Sequence, residues 1–210
     1  MARTKSSGRW LQRHVSDEFV RRAQKEGYRS RSAYKLEEID RVDHLLRSGM
    51  AIVDLGAAPG GWSQYVVRRL AGKTRILAVD LLPIEEIPGV DIMQGDFTDQ
   101  QVLDSVIERL AGARVDLVIS DMAPNISGVA ARDQAQAIYL AELALEFAAQ
   151  MLKPGGNLLV KTFQGEGFNE FHQAIKRRFD KLITRKPKAS RAESREVYLV
   201  GKGLKPAPAA

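Results

Sequence analysis

Residues 50–62 read MAIVDLGAAPGGW, an apolar run that reaches Asp54 and then turns through glycines into a segment with helical spacing. A strand, a glycine turn and a helix in this order begin a βαβ unit, which holds a nucleotide-like ligand at the carboxyl end of its strand. Glycine suits the turn because a side chain would keep the ligand away from the backbone. The spacing G-x-x-x-G-G is not the dinucleotide fingerprint G-x-G-x-x-G, and an ordinary αβ turn would carry one glycine. We therefore expect a ligand-binding loop at residues 56–62.

Strands and helices alternate along the chain around this loop. We predict strands at residues 51–55, 75–80, 90–94, 115–120, 157–161, 181–184 and 196–201. We predict the main helices at residues 32–46, 62–70, 99–110, 133–152 and 167–178, with a turn at 153–156. This alternation is typical of a doubly wound α/β fold, so we expect a seven-stranded, mostly parallel, Rossmann-like sheet with helices on both faces. The last two strands leave no room for a crossover helix, so the final strand should be antiparallel.

The regions outside this alternation differ in composition. Residues 1–30 are basic and are predicted to form a partly flexible N-terminal arm, although Asp17 and Gly27 are suited to cap a short helix between them. Residues 31–201 form the single predicted domain, and the tail 202–210, which ends in KPAPAA, is expected to be disordered. In the helix at 32–46 we expect Tyr34 to lie off an apolar stripe that consists of Ala33, Leu36, Ile39 and Val42.

The 210-residue chain contains no cysteine, which excludes disulfides, thiol nucleophiles and cysteine-ligated zinc. Its three histidines are scattered and form no metal-ligand pattern, so we expect no metal. The chain has no apolar stretch that approaches the length of a membrane span, and its N-terminus lacks an apolar signal core. These features favour a cytoplasmic protein without a membrane partner.

The formal net charge of +6 is distributed unevenly along the chain. Residues 1–47 hold 12 Lys/Arg against 7 Asp/Glu, residues 48–175 hold 9 against 16, and residues 176–191 hold 8 against 1. In addition, residues 28–35, YRSRSAYK, interleave arginine with tyrosine, a combination that suits base stacking and phosphate contacts. An acidic centre between two basic segments favours a bound polyanion, although basic segments are often only solvated faces.

Polar residues end or follow successive strands of the predicted sheet, where ligands of this fold class bind. Asp80, Asp96, Asp121 and Lys161 each occupy such a position. Asp80 lies 24 residues after Gly56, an interval at which an acid hydrogen-bonds ribose hydroxyls. Asp96 could accept a hydrogen bond from an exocyclic adenine amine, and either acid could instead be a turn residue or an N-cap. Together they predict a ligand that contains ribose and adenine.

Lys161 directly follows the apolar residues LLV at the end of a central strand. A lysine at this point would lie in the cleft and be partly desolvated. Burial and a second cation favour the neutral amine of a lysine, whereas a nearby carboxylate favours the ammonium and fixes it in place. A lysine held in this way can accept a proton from a hydroxyl group. The alternative is a lysine whose amine extends to solvent.

Six motifs make the sequence recognisable. In chain order they are VDLGAAPGGWSQ, the acid of AVDLLP, GDF, SDMAPN-SG, LVKTFQG and SRAESREVYLV. Together they resemble the FtsJ-like ribose 2′-O-methyltransferases over residues 29–201, nearly the whole chain. One departure from the family pattern lies at residues 129–136, VAARDQAQ, where the family continues with Thr-Pro and an acidic helix start.

The resemblance implies an enzyme that uses S-adenosylmethionine to methylate a ribose 2′-oxygen, with a uridine of large-subunit ribosomal RNA as the expected target. Matching by motif implies four catalytic residues, which are Lys161, Lys35, Asp121 and Glu196. The same matching implies cofactor contacts at Gly60, Trp62, Asp80, Asp96 and Asp121. It also implies a monomer that acts on the large ribosomal subunit.

In the mechanism that we expect, Lys161 accepts the hydroxyl proton as general base while the methyl group is transferred in line. Lys35 favours the neutral form of that lysine or steers the ribose, Asp121 orients it, and Glu196 holds the lysine pair in register. Four alternatives stay open, namely methylation of transfer RNA, methylation of the messenger RNA cap, a non-catalytic ribosome-assembly factor and a nucleotide-dependent oxidoreductase. The last of these needs the dinucleotide glycine spacing, which is missing here.

Overall fold

The computed structural model describes residues 17–191 and 193–206. Residues 1–16 of the predicted arm and residues 207–210 of the predicted tail lie outside it. The helices of the described residues are α1 (Glu18–Glu26), α2 (Ala33–Asp43), α3 (Gly61–Arg69), α4 (Gln100–Arg109), α5 (Ala130–Met151) and α6 (Phe168–Arg178). The strands are β1 (Ala51–Leu55), β2 (Arg75–Asp80), β3 (Val90–Gln94), β4 (Val115–Ser120), β5 (Leu152–Phe163), β6 (Phe179–Arg185) and β7 (Glu196–Leu204). Of these helices, none is both long enough and apolar enough to cross a membrane.

The seven strands of the described residues form one sheet in the order β3-β2-β1-β4-β5-β7-β6. Neighbouring strands are parallel from β3 to β5, whereas β7 runs antiparallel to both β5 and β6. The predicted mostly parallel sheet with an antiparallel final strand is therefore confirmed. The chain leaves β1 towards β2 and β3 and then returns to β4 on the other side of β1. In such sheets the cleft for a ligand opens where the strand order reverses.

Apolar clusters cover both faces of the sheet, as predicted. One face packs against α4, α5 and α6 through side chains such as Val106, Phe147 and Phe171. The other face packs against α2 and α3 through side chains such as Ile39 and Trp62. Strands β1 and β4 are thus buried from both sides, which explains their nearly continuous apolar sequence.

The caps of α1 agree with the sequence prediction, and α4, which we predicted from residue 99, begins after a cap of the same kind. Asp17 precedes α1 and accepts a hydrogen bond from the Phe19 amide, and Gly27 follows the helix with a left-handed backbone, φ 69°. Asp99 precedes α4 and accepts a hydrogen bond from the Gln101 amide. These caps are local, since each satisfies a backbone group within a few residues of itself, and local sequence was enough to predict them.

Helix α2 is shorter than predicted, and although Ala33, Leu36 and Ile39 are buried as predicted, its buried face includes Tyr34 instead of Val42. It ends at Asp43, and His44 then adopts a left-handed backbone with φ 52°. Val42 is 52% exposed, so its predicted place on the apolar stripe is wrong. Tyr34, which we placed off the stripe, is only 2% exposed. It is buried because its ring packs against α1 and Tyr28, which local periodicity does not reveal.

Three strands are longer than predicted, and β6 is the one that extends by one or two residues at each end. Strand β5 begins at Leu152, which pairs with Val115, but residues 153–156 have no partner in β4 before Asn157 pairs with Leu117. Gly155 has a left-handed backbone, φ 80°, so the predicted turn is present as an irregularity within the bounds of β5. Strand β7 continues to Leu204, which pairs with Phe179, so the predicted tail begins too early. At the end of β7, pairing with β6 outweighs the local tail signal.

Candidate active site

A cavity of about 510 Å³ opens beyond the carboxyl ends of β1 to β4, where the strand order reverses. We call it the strand-end cavity, and its volume is typical of a site for a small molecule. The loops after these strands and the first turns of α5 form its walls. Its lining includes Gly56, Asp80, Asp96, Phe97, Met122 and Asp133. Two of the predicted cofactor residues, Asp80 and Asp96, therefore reach the same cavity.

Asp80 is fixed between two loops by its own carboxylate. Its Oδ2 accepts a hydrogen bond from the Ala58 amide at 2.8 Å, and its Oδ1 accepts one from the Leu82 amide at 2.8 Å. The first amide belongs to the loop after β1 and the second to the loop after β2. The carboxylate thus stands in a fixed place at the cavity wall with lone pairs left over for hydroxyl donors.

Asp96 lies in the loop after β3 and is exposed. Its Oδ1 accepts hydrogen bonds from the Thr98 amide at 2.9 Å and from the Thr98 hydroxyl at 2.8 Å. Within the described part of the chain, no donor reaches its Oδ2. Asp96 is therefore both a turn residue, as the alternative interpretation held, and a carboxylate with an oxygen available to a ligand's amino group.

Two glycines allow the loops around the cavity to approach one another. At Gly56 the backbone is left-handed, φ 73°, and an added Cβ would lie 2.7 Å from Met122 Cγ in the loop after β4. At Gly60, which caps α3 with φ 105°, an added Cβ would lie 2.6 Å from Ile87 Cδ1. A side chain at Gly56 would also meet the Met122 backbone at 2.8 Å and force these two loops apart. Gly60 does not line the cavity, and its positive φ is what favours glycine there.

Trp62 lies in the core and does not line the strand-end cavity. It is 2% exposed, its Nε1 donates a hydrogen bond to the Ser32 carbonyl at 2.8 Å, and its ring lies 5.8 Å from that of Tyr198. Its side chain therefore joins α3 to α2 and β7. A contact between Trp62 and a cofactor would have to come from its backbone, at the start of α3.

A second cavity, of about 560 Å³, lies next to the first and is lined by residues that include Ser30, Lys35, Asp121, Arg191 and Glu196. We call it the Lys35 cavity. Three of the four predicted catalytic residues line it, although they come from α2, the loop after β4 and the start of β7. The fourth, Lys161, contacts Asp121 directly.

Lys161 is only 8% exposed. Its Nζ lies 3.0 Å from Asp121 Oδ1 and also donates a hydrogen bond to the Asp121 carbonyl oxygen. The predicted contact with a carboxylate is present, and the solvent-extended alternative is wrong. Lys161 lines neither cavity, and Asp121 connects its amine to the Lys35 cavity.

Lys35 is held by two groups of strand β7. Its Nζ lies 2.8 Å from Glu196 Oε1 and donates a hydrogen bond to the Tyr198 hydroxyl at 3.0 Å. The same Glu196 oxygen accepts a hydrogen bond from the Ser190 hydroxyl at 2.7 Å. Glu196 thus fixes Lys35 in place, while Lys35 and Lys161 reach the same site from opposite sides of Tyr198.

Tyr198 connects the two lysines and was not predicted as a site residue. Its hydroxyl accepts the hydrogen bond from Lys35 and donates one to Asp121 Oδ1 at 2.8 Å. Burial, followed by the carboxylates of Asp121 and Glu196, raises the pKa of Tyr198 well above its ordinary value, so the phenol stays neutral. A signal was present in the sequence, since Tyr198 is two residues after Glu196 and alternate residues of a strand share a face.

Asp121 stays ionised at the centre of this network. Burial opposes its charge, but the cations Lys161 and Lys35, together with hydrogen bonds from Lys161 and Tyr198, outweigh burial and lower the pKa of Asp121. One carboxylate therefore orients both Lys161 and Tyr198. Among the described residues, no group of three or more histidine and acidic side chains is arranged to hold a metal ion.

Asp54, the acid of the VDLG motif, is fully buried beneath these cavities. Its Oδ2 accepts a hydrogen bond from the Ser63 hydroxyl at 2.7 Å, and its buried Oδ1 contacts no donor in the described residues. Burial raises the pKa of Asp54 to about 7. The hydrogen bond from Ser63 lowers this pKa, whereas the negative charges of Asp121 and Asp80 raise it further. We did not predict a role for this carboxyl group.

Comparison with known proteins agrees with the motifs. The profile of the FtsJ-like methyltransferase family matches residues 28–204. The ribosomal RNA large subunit methyltransferase E of Methylobacillus flagellatus is 58% identical over 201 residues, which cover 96% of this chain and 97% of that protein. The protein of the same name from Marinobacter nauticus is 55% identical over 205 residues, which cover 98% of this chain and 99% of that protein.

Solved structures support the same assignment. A Plasmodium falciparum protein described as a ribosomal RNA methyltransferase is 31% identical and superposes with a TM-score of 0.77, over 86% of this chain and 100% of that chain. The Methanococcus jannaschii fibrillarin pre-rRNA processing protein superposes with a TM-score of 0.56 at 18% identity, over 77% of this chain and 70% of that chain, and it shows the fold alone. Fold, motifs and relatives agree, and the chain belongs to the FtsJ-like methyltransferase family.

Proposed function

We propose that this protein transfers the methyl group of S-adenosylmethionine to a ribose 2′-oxygen in a uridine of large-subunit ribosomal RNA. Relatives that share more than half of its residues are named as large-subunit ribosomal RNA methyltransferases. The observation that carries the proposal is the continuous series of contacts from Glu196 through Lys35, Tyr198 and Asp121 to Lys161. This series holds a lysine amine at a place that an RNA hydroxyl can reach.

The residues of the strand-end cavity fit S-adenosylmethionine. Asp80 offers lone pairs to the two ribose hydroxyls, and Asp96 Oδ2 offers an acceptor to the adenine amino group. The carboxylates around the cavity also suit a cation, because opposite charges attract strongly where water is partly excluded. When bound, S-adenosylmethionine supplies an electrophilic methyl group on its positively charged sulfur. Asp121 lies between this cavity and the Lys35 cavity, where we place the acceptor ribose.

In the proposed mechanism, the protein aligns the two substrates and removes one proton. The neutral amine of Lys161 accepts the proton of the 2′-hydroxyl as the oxygen attacks, and Asp121 then stabilises the ammonium that forms. Alignment matters because a 2′-hydroxyl is a weak nucleophile at neutral pH, and correct orientation removes much of the entropic cost of the reaction. Lys161 is buried, so water does not compete with the ribose hydroxyl for its amine.

Lys35 and its partners complete the site on the ribose side. We assign Lys35 the steering of the ribose, since its N–H groups can donate hydrogen bonds to ribose oxygens. Glu196 and Tyr198 keep Lys35 in position, since its Nζ lies 2.8 Å from Glu196 Oε1 and 3.0 Å from the Tyr198 hydroxyl. Removal of Glu196 would therefore loosen Lys35 without removing the general base.

We assign the RNA contacts to the basic segments on either side of the acidic centre. Residues 176–191 carry 8 Lys/Arg against 1 Asp/Glu and run from the end of α6 through β6 to the loop before β7. That loop reaches the Lys35 cavity at Arg191, and Arg31 reaches it from the other segment. These cations would contact phosphates and the shape of the RNA more than its sequence. We further propose that the protein acts as a monomer on the large ribosomal subunit in the cytoplasm.

The test is methyl transfer from labelled S-adenosylmethionine to ribosomal subunits and RNA from cells that lack the protein. We expect label in large-subunit ribosomal RNA, on a 2′-oxygen of a uridine. Label only in transfer RNA or in capped messenger RNA would support ribose methylation but contradict ribosomal RNA as the substrate. Cofactor binding without label in any RNA would favour the assembly factor and overturn the enzymatic proposal.

A further inference from the structure

A third cavity, of about 390 Å³, lies beside the strand-end cavity, and we call it the α5 groove. Its walls are the loop after β4, the first turns of α5, Phe163 at the end of β5 and Arg195 ahead of β7. It shares Ala123, Pro124, Ile126 and Asp133 with the strand-end cavity, so the two spaces are adjacent. Part of its wall comes from residues 129–136, the segment in which this chain departs from the family pattern.

The polar side chains of α5 in this groove are already engaged within the protein. Asp133 accepts hydrogen bonds from the amide and the hydroxyl of Ser127 and from the Gly128 amide. The side-chain nitrogen of Gln134 donates to the carbonyl oxygens of Phe163 and Glu166. The remaining lining is apolar apart from Arg195. The groove therefore offers an apolar surface with one cationic side chain, Arg195, at its edge.

The rim of the groove exposes apolar side chains to solvent. Ile126 is 86% exposed, which is the largest value among the large apolar side chains of the described residues, and Val129 nearby is 59% exposed. Apolar groups clustered around a concave surface in this way are typical of binding sites. Arg195 is itself exposed, and a guanidinium plane can stack on a base as well as contact a phosphate.

The groove also lies close to Lys161, the proposed general base. Phe163 is two residues beyond Lys161 on β5, which corresponds to about 6.6 Å along a strand. Arg195 immediately precedes Glu196, and its carbonyl oxygen accepts a hydrogen bond from the Gln164 amide at 3.0 Å. An RNA strand whose ribose faces Lys161 would thus bring a base to the mouth of the groove.

We propose that the α5 groove receives an unstacked base of the RNA substrate, at or directly beside the reacting nucleotide. Proteins that read unpaired RNA place its bases on aromatic and apolar side chains and on arginine planes, which is the chemistry of this groove. The proposal rests on the proposed function, since it assumes RNA as the substrate. It assigns Ala130, Asp133 and Gln134, the groove-lining residues of the segment 129–136, a role in RNA recognition.

Two neighbouring alanines of α5 provide a matched pair of variants. Ala130 and Ala131 are both exposed at the start of the helix, but only Ala130 lines the groove, and neither lines the strand-end cavity. Ala130→Phe would fill the groove, whereas Ala131→Phe would add the same side chain beside it. Phe163→Leu and Phe163→Tyr form a second pair, because only the tyrosine retains an aromatic ring.

The first measurement is methyl transfer to large subunits that lack the modification, together with the affinity for S-adenosylhomocysteine. We expect Ala130→Phe and Phe163→Leu to raise KM for the subunit about 5- to 150-fold, the range for loss of one stacked base. Ala131→Phe should resemble the wild type, Phe163→Tyr should raise KM less than Phe163→Leu, and all four should bind S-adenosylhomocysteine normally. Equal KM values for both alanine variants would overturn the proposal, as would a KM effect that disappears on protein-free ribosomal RNA.

The second measurement does not require turnover. A single-stranded oligoribonucleotide with one 2-aminopurine base loses fluorescence when that base stacks, and we expect quenching by the wild type and by Ala131→Phe but not by Ala130→Phe. Moving the probe base along the strand distinguishes the reacting nucleotide from its neighbours. Equal quenching by all proteins would overturn the base-binding groove. If the wild type methylates no RNA, the proposed function fails, and this readout still decides what the groove binds.

Discussion

The hydroxyl of Tyr198 donates a hydrogen bond to Asp121 Oδ1 across 2.8 Å, although the two residues are 77 positions apart in the chain. This contact joins strand β7 to the loop after β4 and places a neutral phenol between two lysines. Tyr198 is fully buried, so the contact is shielded from solvent and its geometry is fixed by the packing around it. This hydrogen bond therefore fixes the site residues of β7 relative to those in the loop after β4.

Tyr198→Phe should lower kcat about 10- to 100-fold and leave both KM values close to those of the wild type. The ring would still pack, but Lys35 and Asp121 would each lose one hydrogen bond. Tyr65→Phe is the matched control, since the buried Tyr65 hydroxyl bonds to Asp40 away from both cavities. We expect each variant to lose about 1 kcal/mol of unfolding free energy. Equal kcat values for the two variants would remove Tyr198 from the mechanism.

Lys161→Ala should abolish methyl transfer while S-adenosylmethionine still binds. Loss of a general base typically costs about 10²- to 10⁴-fold in rate, and here the positioning role of the amine would be lost as well. Calorimetric titration with S-adenosylhomocysteine measures the binding, and label incorporation measures the turnover. Lys73→Ala, a change at an exposed lysine outside both cavities, should leave both quantities unchanged. Near-normal turnover of Lys161→Ala would contradict the mechanism.

Asp96→Ala should weaken S-adenosylmethionine binding about 10- to 100-fold, because a hydrogen bond to a charged acceptor would be lost. Asp99→Ala is the control three residues away. It removes the N-cap of α4, so it should cost about 1 kcal/mol of unfolding free energy without a comparable change in cofactor affinity. Thermal denaturation and cofactor titration on both proteins separate the two effects. A larger loss of affinity in Asp99→Ala would indicate that the loop, and not the Asp96 carboxylate, holds the ligand.

Asp54 should make the protein less stable as the pH rises. Its pKa is about 7 in the folded protein and near 3.8 when unfolded, so the folded state binds the extra proton. Stability from this group is fully present below pH 4 and is lost between about pH 4 and pH 7, by on the order of 4 kcal/mol at most. Asp54→Asn cannot ionise, so its melting temperature relative to the wild type should increase across this interval. A difference that is constant with pH would show that Asp54 is not buried in its neutral form.

RNA affinity should fall steeply as the salt concentration rises, because cations of residues 176–191 would displace counterions from phosphates. Lys188→Ala removes an exposed cation from the loop before β7 and should reduce the slope of log affinity against log salt by about 0.7 to 1. Lys73→Ala should leave the slope unchanged. A flat salt dependence of the wild type would contradict the assignment of the basic segments to RNA.

Local sequence determined the strands, the class of sheet and the acids at the strand ends. Strands β1 to β4 occupy the residues predicted for them, and Asp80 and Asp96 reach one cavity, because apolar periodicity, glycine turns and helix caps depend on neighbours only a few residues away. Resemblance to a family, and not periodicity, supplied Lys35 and Glu196. The structure then placed both in contact with each other.

Tertiary structure alone decided which side chains meet. Lys35 and Tyr198 are 163 residues apart, and their contact exists only because β7 inserts between β5 and β6 and faces α2. The same long-range packing buried Tyr34, directed the Trp62 side chain into the core and created the α5 groove from three separate parts of the chain. Periodicity shows which residues prefer burial, but it carries no information about the partner against which each one packs.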